Sequence, residues 1–370
     1  MTETGGIPGA PSGVLLRPNV ADLVVYVPGA STGVPEGVPI IKLSSNEGAE
    51  GPLPAARAAL EAEAGDLHRY PDSQDLVRLI AERRGLPAEM VTVGPGADML
   101  IQYIASAFLE PGREVVFAWP SFVSYALTAQ KQLAHATMVP LKDDVHDLDG
   151  LLAAITERTA LVYVCNPNNP TGTYVSRDAL RAFVDALPEH VVCVVDEAYA
   201  EYVLEDDYPD VLEEYVKAGH PRVAVLHTFS KIHGLAGLRV GWMAGPAWLV
   251  DATVRVRGPF DVTSAGLAAA MASIAEEGAL RDRAEANARR RESLRARLTA
   301  VGVASTGVAN FLTVQVPDAQ AATAALMRRG VIVRPLNAFG SPTQIRITIG
   351  SDADMAIAEP IIAEVLGAGA

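Results

Sequence analysis

In the stretch VLHTFSKIHGLAGLRVGW, Val225 to Trp242, one ionisable lysine follows a short apolar run. Thr228 and Ser230 stand just before Lys231, and Arg239 follows eight positions later. Lysine is scarce here: Lys42, Lys131, Lys142, Lys217 and Lys231 are the full set, and arginine carries most of the positive charge. Surface solubility is a poor reason for a lysine at the end of a buried run. Partial burial and nearby cations would instead keep its amine usable near neutral pH.

Three other polar stretches also follow apolar runs. VGPGADML places a glycine turn before a helix that opens at Gly96, Ala97 and Asp98. Free backbone N–H groups and the helix dipole there suit a phosphate, although an acid in a first helical turn is also ordinary. NPNNPTG, residues 166–172, carries Asn169 in a segment whose Asn and Pro density equally marks a rigid turn. DEAYAEY puts Asp196 at the end of a buried run and Tyr199 three residues later. An uncompensated aspartate in that position is costly, so it needs a partner. Taken together these pieces offer phosphate donors, one carboxylate, one phenol, one amide and one lysine. Pyridoxal phosphate needs such a set: an anchor for its phosphate, a lysine for a Schiff base with its aldehyde, and a carboxylate that keeps its pyridine nitrogen protonated.

The elements that must position these groups read as α/β. In an open parallel sheet, ligands sit at the carboxyl ends of the strands. Strands are expected at 90–94, 114–118, 135–141, 160–165, 190–196, 222–229 and 239–245, with helices between them. Several are apolar throughout, as strands covered on both faces should be. DMLIQYIASAFL has apolar residues at 99, 100, 103, 104, 107 and 108, a helical stripe. The segment NVADLVVYV reads as a short helix and PIIKLSS as a strand. From about 262 a single long helix is expected to lead into FLTVQV, a further helix, VIVRPL, QIRITIG and a last helix, a compact α+β body. The expected organisation is therefore a tail over 1–13, an arm over 14–45 packing on the small domain, a large domain over 46–261, and a small domain with its linking helix over 262–370.

Composition narrows the function. A chain of 370 residues points to two domains. A formal net charge of −14 argues against general affinity for nucleic acid or anionic membranes. Cys165 and Cys193 both lie in apolar runs, so small buried hydrophobes in a reduced protein are expected rather than a disulfide or metal pair. No metal site is read. The N-terminus shows neither a basic segment nor an apolar one, and no run approaches a membrane span, so a soluble cytoplasmic protein is expected.

The motifs RPNVADLVVYVPG, KLSSNEGAEGPLP, HRYPD, VGPGADML, WPSFVSY, CNPNNPTG, VVDEAYAEY, TFSKIHGLAGLRVGW, PFDVTSAGLAA and VIVRPLNAFGSPTQIRITIG run in order along nearly the whole chain. In this it resembles the fold-type I pyridoxal-phosphate aminotransferases, and among them the histidinol-phosphate aminotransferase subfamily. The resemblance implies a large domain with a mostly parallel seven-stranded sheet between helices, a smaller α+β domain, and a homodimer. It implies Lys231 as the covalent cofactor site and proton carrier, Asp196 against the pyridine nitrogen, and Asn169 and Tyr199 on the ring oxygen. Phe122 would stack on the ring. Ala97, Asp98, Thr228, Ser230 and Arg239 would hold the phosphate. Arg346 would clamp the substrate carboxylate, while Tyr26 and Arg334 match positions that hold a distal phosphate.

The family pattern N-E-N-P-Y-G-P reads here as Asn46 to Pro52, with Glu50 in place of a tyrosine that contacts the neighbouring subunit's cofactor phosphate. Asp261 replaces an asparagine. Glu50 must then turn away or meet a cation, such as a substrate amine or imidazole, and the two acids weigh against a phosphorylated substrate. The expected reaction passes an amino group between an amino donor and 2-oxoglutarate, with histidinol phosphate favoured as donor and aromatic amino acids as the alternative. A decarboxylase or lyase could use the same cofactor set, but Arg346 with the VRP and IRITIG strands favours transamination. A cofactor-binding regulator would lack any fused DNA-binding module.

Overall fold

The runs LVYVC, VCVVD and VAVLH, apolar without alternation, form the middle of a seven-stranded sheet. The computed structural model describes residues 17, 19–23 and 33–367. In chain order the strands are β1 (Ile41–Lys42), β2 (Val91–Gly94), β3 (Glu114–Trp119), β4 (His135–Pro140), β5 (Thr159–Cys165), β6 (Val192–Asp196), β7 (Val223–Thr228), β8 (Gly241–Ala244), β9 (Ser305–Thr306), β10 (Phe311–Gln315), β11 (Val331–Ile332), β12 (Arg334–Pro335) and β13 (Gln344–Thr348). The helices are α1 (Pro54–Glu63), α2 (Gln74–Arg84), α3 (Gly96–Phe108), α4 (Ser124–Lys131), α5 (Leu148–Ala153), α6 (Arg177–Asp185), α7 (Ala247–Arg255), α8 (Ser264–Ile274), α9 (Glu277–Ala300), α10 (Ala319–Arg328) and α11 (Asp352–Gly367).

The large sheet has the order β2-β8-β7-β6-β5-β3-β4, and only β8 runs antiparallel to its neighbours. Side chains alternate across it, so each face builds its own core. Val162, Val164, Cys193, Val195 and Val225 face one helical layer, with α1, α2, α6 and α8 packed there. Leu161, Tyr163, Val192, Val194, Ala224 and Leu226 face the other, with α3, α4 and α7. Phe117, Tyr125 and Tyr163 are fully buried, each side chain contributing about 2 kcal/mol through apolar burial. Both cysteines are free and buried, as their apolar surroundings foretold.

A second body carries the antiparallel sheet β12-β13-β10-β9 and the parallel pair β1–β11. Its core gathers Leu294, Leu298, Leu312, Ile345, Ile347 and Met355. The two bodies meet at the segment after β5. Val308 N–H donates to Gly172 O at 2.8 Å, Thr306 Oγ1 to Thr171 O at 3.2 Å, and Thr313 Oγ1 to Pro170 O.

Three expectations about elements are corrected. The long helix from 264 is two helices, α8 and α9, interrupted at Ala275–Glu276. Leu267, Ala270 and Ile274 of α8 belong to the core of the large sheet, whereas Leu294 and Leu298 of α9 belong to that of the small one. PIIKLSS contributes only the two-residue β1, paired with β11 through Ile41↔Val331. Of the expected helix NVADLVVYV, residues 19–22 form turns and residues 24–27 lie outside the described residues. Arg17 and Asn19 donate to the backbone of Lys131 and Gln130 at the end of α4. Among the described residues no helix is long and apolar enough to cross a membrane.

Candidate active site

The carboxyl ends of β5, β6 and β7, with the amino end of α3, line a cavity of about 120 Å³. It is lined by Ala97, Asp98, Phe122, Asn169, Asp196, Tyr199, Thr228, Ser230, Lys231 and Arg239, together with Cys165 and Ala198. The structure thus brings together all ten residues read from the sequence as cofactor contacts. They come from six separate stretches of chain, which parallel strands of matched length end at one edge.

The floor is carried by Asp196, 2% exposed at the last position of β6. Burial pushes its carboxyl group up, while bonds from the Tyr125 hydroxyl and the Ala198 amide pull it down. Tyr125 Oη donates to Asp196 Oδ2 at 2.7 Å, and Ala198 N–H to Oδ1 at 3.2 Å. Tyr125 in turn stacks on Tyr163 with ring centroids 4.5 Å apart. The sequence reading missed Tyr125; the available signal was its place in WPSFVSY, three residues after Phe122 at the end of β3.

Lys231 lies in the turn after β7. Its Nζ donates to Asn46 O at 3.1 Å and sits 5.2 Å from the centre of the Tyr199 ring. Burial, then the Arg346 and Arg239 cations, bring its amine down to about 7. Tyr199 Oη accepts from Asn46 Nδ2 at 3.1 Å, and burial raises this phenol well above its ordinary value. Asn46 and Arg239 both adopt left-handed backbone, with φ of 53° each. Such strain at non-glycine residues concentrates at functional sites.

The amino end of α3 forms a cradle. Gly96 has φ of 79°, and a Cβ there would stand 2.7 Å from Arg239 Nη2. A Cβ on Gly241 would meet Ala97 N at 2.5 Å. Only glycine at both positions lets the helix start, the guanidinium and β8 converge on one spot. Ser230 Oγ accepts from Arg239 Nη1 at 3.4 Å, and Ser230 N–H donates to Thr228 Oγ1 at 3.1 Å. Asp98 is occupied by the Ser124 hydroxyl, so its backbone rather than its carboxylate faces an anion here.

The substrate side is mixed. Arg346 Nη1 donates to Asn169 Oδ1 at 2.5 Å and Nη2 to Ser44 O at 3.0 Å, which ties the small sheet to the cavity rim. Arg334 pairs directly opposite Arg346 across β12–β13. Phe122 meets Tyr125 edge-on at 5.8 Å. Tyr26 lies outside the described residues. Glu50 meets a cation within the chain: Arg290 Nη1 donates to it at 2.6 Å while also binding Asp352. Asp261 is held by Arg257 and accepts from Tyr103 Oη at 2.9 Å. Each acid that weighed against a phosphorylated substrate thus has an arginine partner, Arg290 for Glu50 and Arg257 for Asp261.

The sequence pattern of the family "Aminotransferase class I and II" matches residues 38–359. An aromatic amino acid aminotransferase of Thermobifida fusca is 42% identical over 347 residues, 93% of this chain and 96% of that protein. A histidinol-phosphate aminotransferase of Rhodopseudomonas palustris is 38% identical over 360 residues, 95% of this chain and 98% of that protein. Among solved structures, the histidinol-phosphate aminotransferase of Sinorhizobium meliloti, in complex with pyridoxal-5'-phosphate, has a TM-score of 0.82 at 30% identity, covering 90% of this chain and 92% of that one. The chain belongs to the class I and II aminotransferases. Enzymes of this class work with pyridoxal phosphate, and the residues present fit it: a glycine-walled cradle for an anion, a buried carboxylate, and a lysine amine held near neutrality in one cavity.

Proposed function

We propose that the chain transfers the amino group of histidinol phosphate to 2-oxoglutarate. The observation that carries this reading is the cross-strand arginine pair. Arg334 and Arg346 are direct partners in an antiparallel ladder and so share one face of the small sheet. Two guanidinium groups on one face can both donate to one anion, each with a planar fork of N–H donors. A phosphate or a dicarboxylate supplies that anion better than one carboxylate does. The arginine partners of Glu50 and Asp261 weaken the objection that these acids raise to such a ligand.

Bound at this site, the cofactor supplies an electron sink for charge developing at the substrate Cα. Asp196 would hold a proton at the cofactor's ring nitrogen, Asn169 and Tyr199 would donate to the ring, and Phe122 would pack on it. Lys231, with its amine near 7, accepts a proton at Nζ and returns it, which suits a group that acts as base and then as acid. Arg346 holds the anionic end of either substrate in turn, and Arg334 adds charge where that end is a phosphate.

A second reading, an aromatic amino acid as donor, is supported by the stacking of Trp119 on Phe339 at 5.9 Å, across the two bodies. The test is a set of half-reactions. The cofactor-loaded enzyme is mixed singly with histidinol phosphate, phenylalanine, tyrosine, histidine and glutamate, and its visible spectrum is followed. Histidinol phosphate and glutamate are expected to convert it at least about tenfold faster than phenylalanine or tyrosine, the worth of one good charged contact. Conversion by the aromatic amino acids alone would replace the first reading with the second.

The working unit is read as a homodimer in a reducing, cytoplasmic setting. Its support is an exposed aromatic pair: Tyr70, 82% exposed, stacks on Phe260, 60% exposed, with centroids 4.5 Å apart. Sedimentation of the full chain is expected to give twice the mass of one chain; a monomer's mass at micromolar concentration would refute it.

A further inference from the structure

Glu197, His227 and Glu201 form a charged cluster that lines no part of the cofactor cavity. His227 Nε2 lies 3.3 Å from Glu197 Oε2, and Nδ1 lies 3.6 Å from Glu201 Oε1. The first distance is an ion pair close to hydrogen-bond range; the second is an ion pair only. The imidazole stacks on the Trp242 indole, centroids 4.3 Å apart and planes 14° from parallel. The side chains of His227 and Glu197 are 12% and 6% exposed, so this is interior charge.

Each member adjoins a group at the site. Glu197 follows Asp196, His227 precedes Thr228, and Glu201 comes two residues after Tyr199. β6 and β7 run parallel with Asp196 opposite Leu226, and Glu197 N–H donates to Leu226 O at 2.9 Å as the last rung of the ladder. Past that rung, the imidazole bridges the two strand ends. Asp196 and Thr228 line the cavity while Glu197 and His227 do not, as alternation along a strand requires. Interior ion pairs add little net stability compared with apolar groups of the same shape; their use lies in fixing register and position.

We infer that His227 is a positioning residue for the cofactor site: held as a cation between Glu197 and Glu201, it sets the end of β6, which carries Asp196, against the end of β7, which carries Thr228, Ser230 and Lys231. The inference rests on the cofactor assignment above. Groups facing the imidazole are Glu197 after β6, Glu201 in the following turn, Asp196 beyond them, and His233 after Lys231; Tyr208 Oη and Asp210 act on Glu197 from the next segment. Burial pulls the imidazole down, but the contact with Glu197 and the charges of Glu197 and Glu201 override it and bring it to about 9. An imidazole raised above its unfolded value near 6.5 stabilises fully below that pH, and the contribution is lost as pH rises through about 9.

The experiment measures affinity for 4′-deoxypyridoxine 5′-phosphate, a cofactor analogue without the aldehyde, so that Lys231 attachment does not enter. The full-length protein, His227→Gln and His227→Arg are compared from pH 7 to 10. At pH 7.5, His227→Gln is expected to bind about tenfold more weakly, the lower end of what outer-shell partners contribute at metal sites. His227→Arg, a permanent cation that can also stack on Trp242, is expected within about threefold of the parent. The affinity of the parent relative to His227→Arg should fall as pH rises through about 9. Parent-like binding by His227→Gln, or equal weakness in Gln and Arg variants, would overturn the inference. Should His227→Gln not fold, Glu201→Gln serves: a loss of about threefold is expected, and parent-like binding again overturns it. A parent protein that does not bind the analogue would overturn the cofactor assignment itself.

Discussion

Lys231→Ala is expected to lower transamination by at least about 10⁴-fold and to leave the dialysed protein colourless. The size follows from two losses in one residue, covalent attachment and proton transfer, the latter alone worth roughly 10²–10⁴-fold. Misfolding should not produce this result. Nζ makes one bond, to Asn46 O, and that oxygen keeps the Asn310 Nδ2 donor at 3.2 Å. The pH dependence follows from the amine near 7, set first by burial and then by Arg346. Below that value Lys231 is an ammonium and cannot attack an aldehyde. Cofactor uptake by the apo-protein, followed by visible absorbance, should therefore rise about tenfold per pH unit up to about 7 and level off above it. A colourless Lys231→Ala variant retaining more than about 1% of the parent rate would sink the assignment of Lys231.

Asp196→Asn should reduce kcat/KM by about 10³-fold while leaving the apo-protein at least as stable. Breaking one side of a buried charge pair costs roughly 3–5 kcal/mol, here between the carboxylate and a protonated ring nitrogen. In the apo-protein the sign reverses. Burial raises this carboxyl group above its unfolded value, so its ionised form opposes folding at neutral pH. An amide of the same shape removes that charge and can still accept from Tyr125 Oη. Thermal unfolding and steady-state kinetics on the same preparations separate the two effects. Parent-like kcat/KM would remove Asp196 from the mechanism; a large drop in apo Tm would recast it as a structural residue.

Much of the site was legible because its parts are local. A glycine turn before a helix, Asn169 in a proline-rich turn, Asp196 closing an apolar run and Lys231 after another are each recognisable within ten residues. What was not legible depends on side chains from distant segments. Tyr125 reaches Asp196 from 71 positions away, and Arg290 reaches Glu50 from 240. From the sequence, Glu50 could turn away or meet a cation, and neither acid's partner was readable. In the fold each pairs with an arginine, one from α9 and one from the turn after α7. The break between α8 and α9 escaped for a related reason. Ala275 and Glu276 at the break both have helical backbone or helix-favouring side chains, and the two helices they join fill different cores.

Residue types and hydrophobic periodicity are enough to define the available chemistry: a lysine, a carboxylate, an amide, a phenol and phosphate donors, each at a strand or helix end. Which charges face the cavity and which pair with each other follows from packing alone. Periodicity assigns a residue to a face of its own element, but an ion pair depends on two elements meeting, and that is a property of packing.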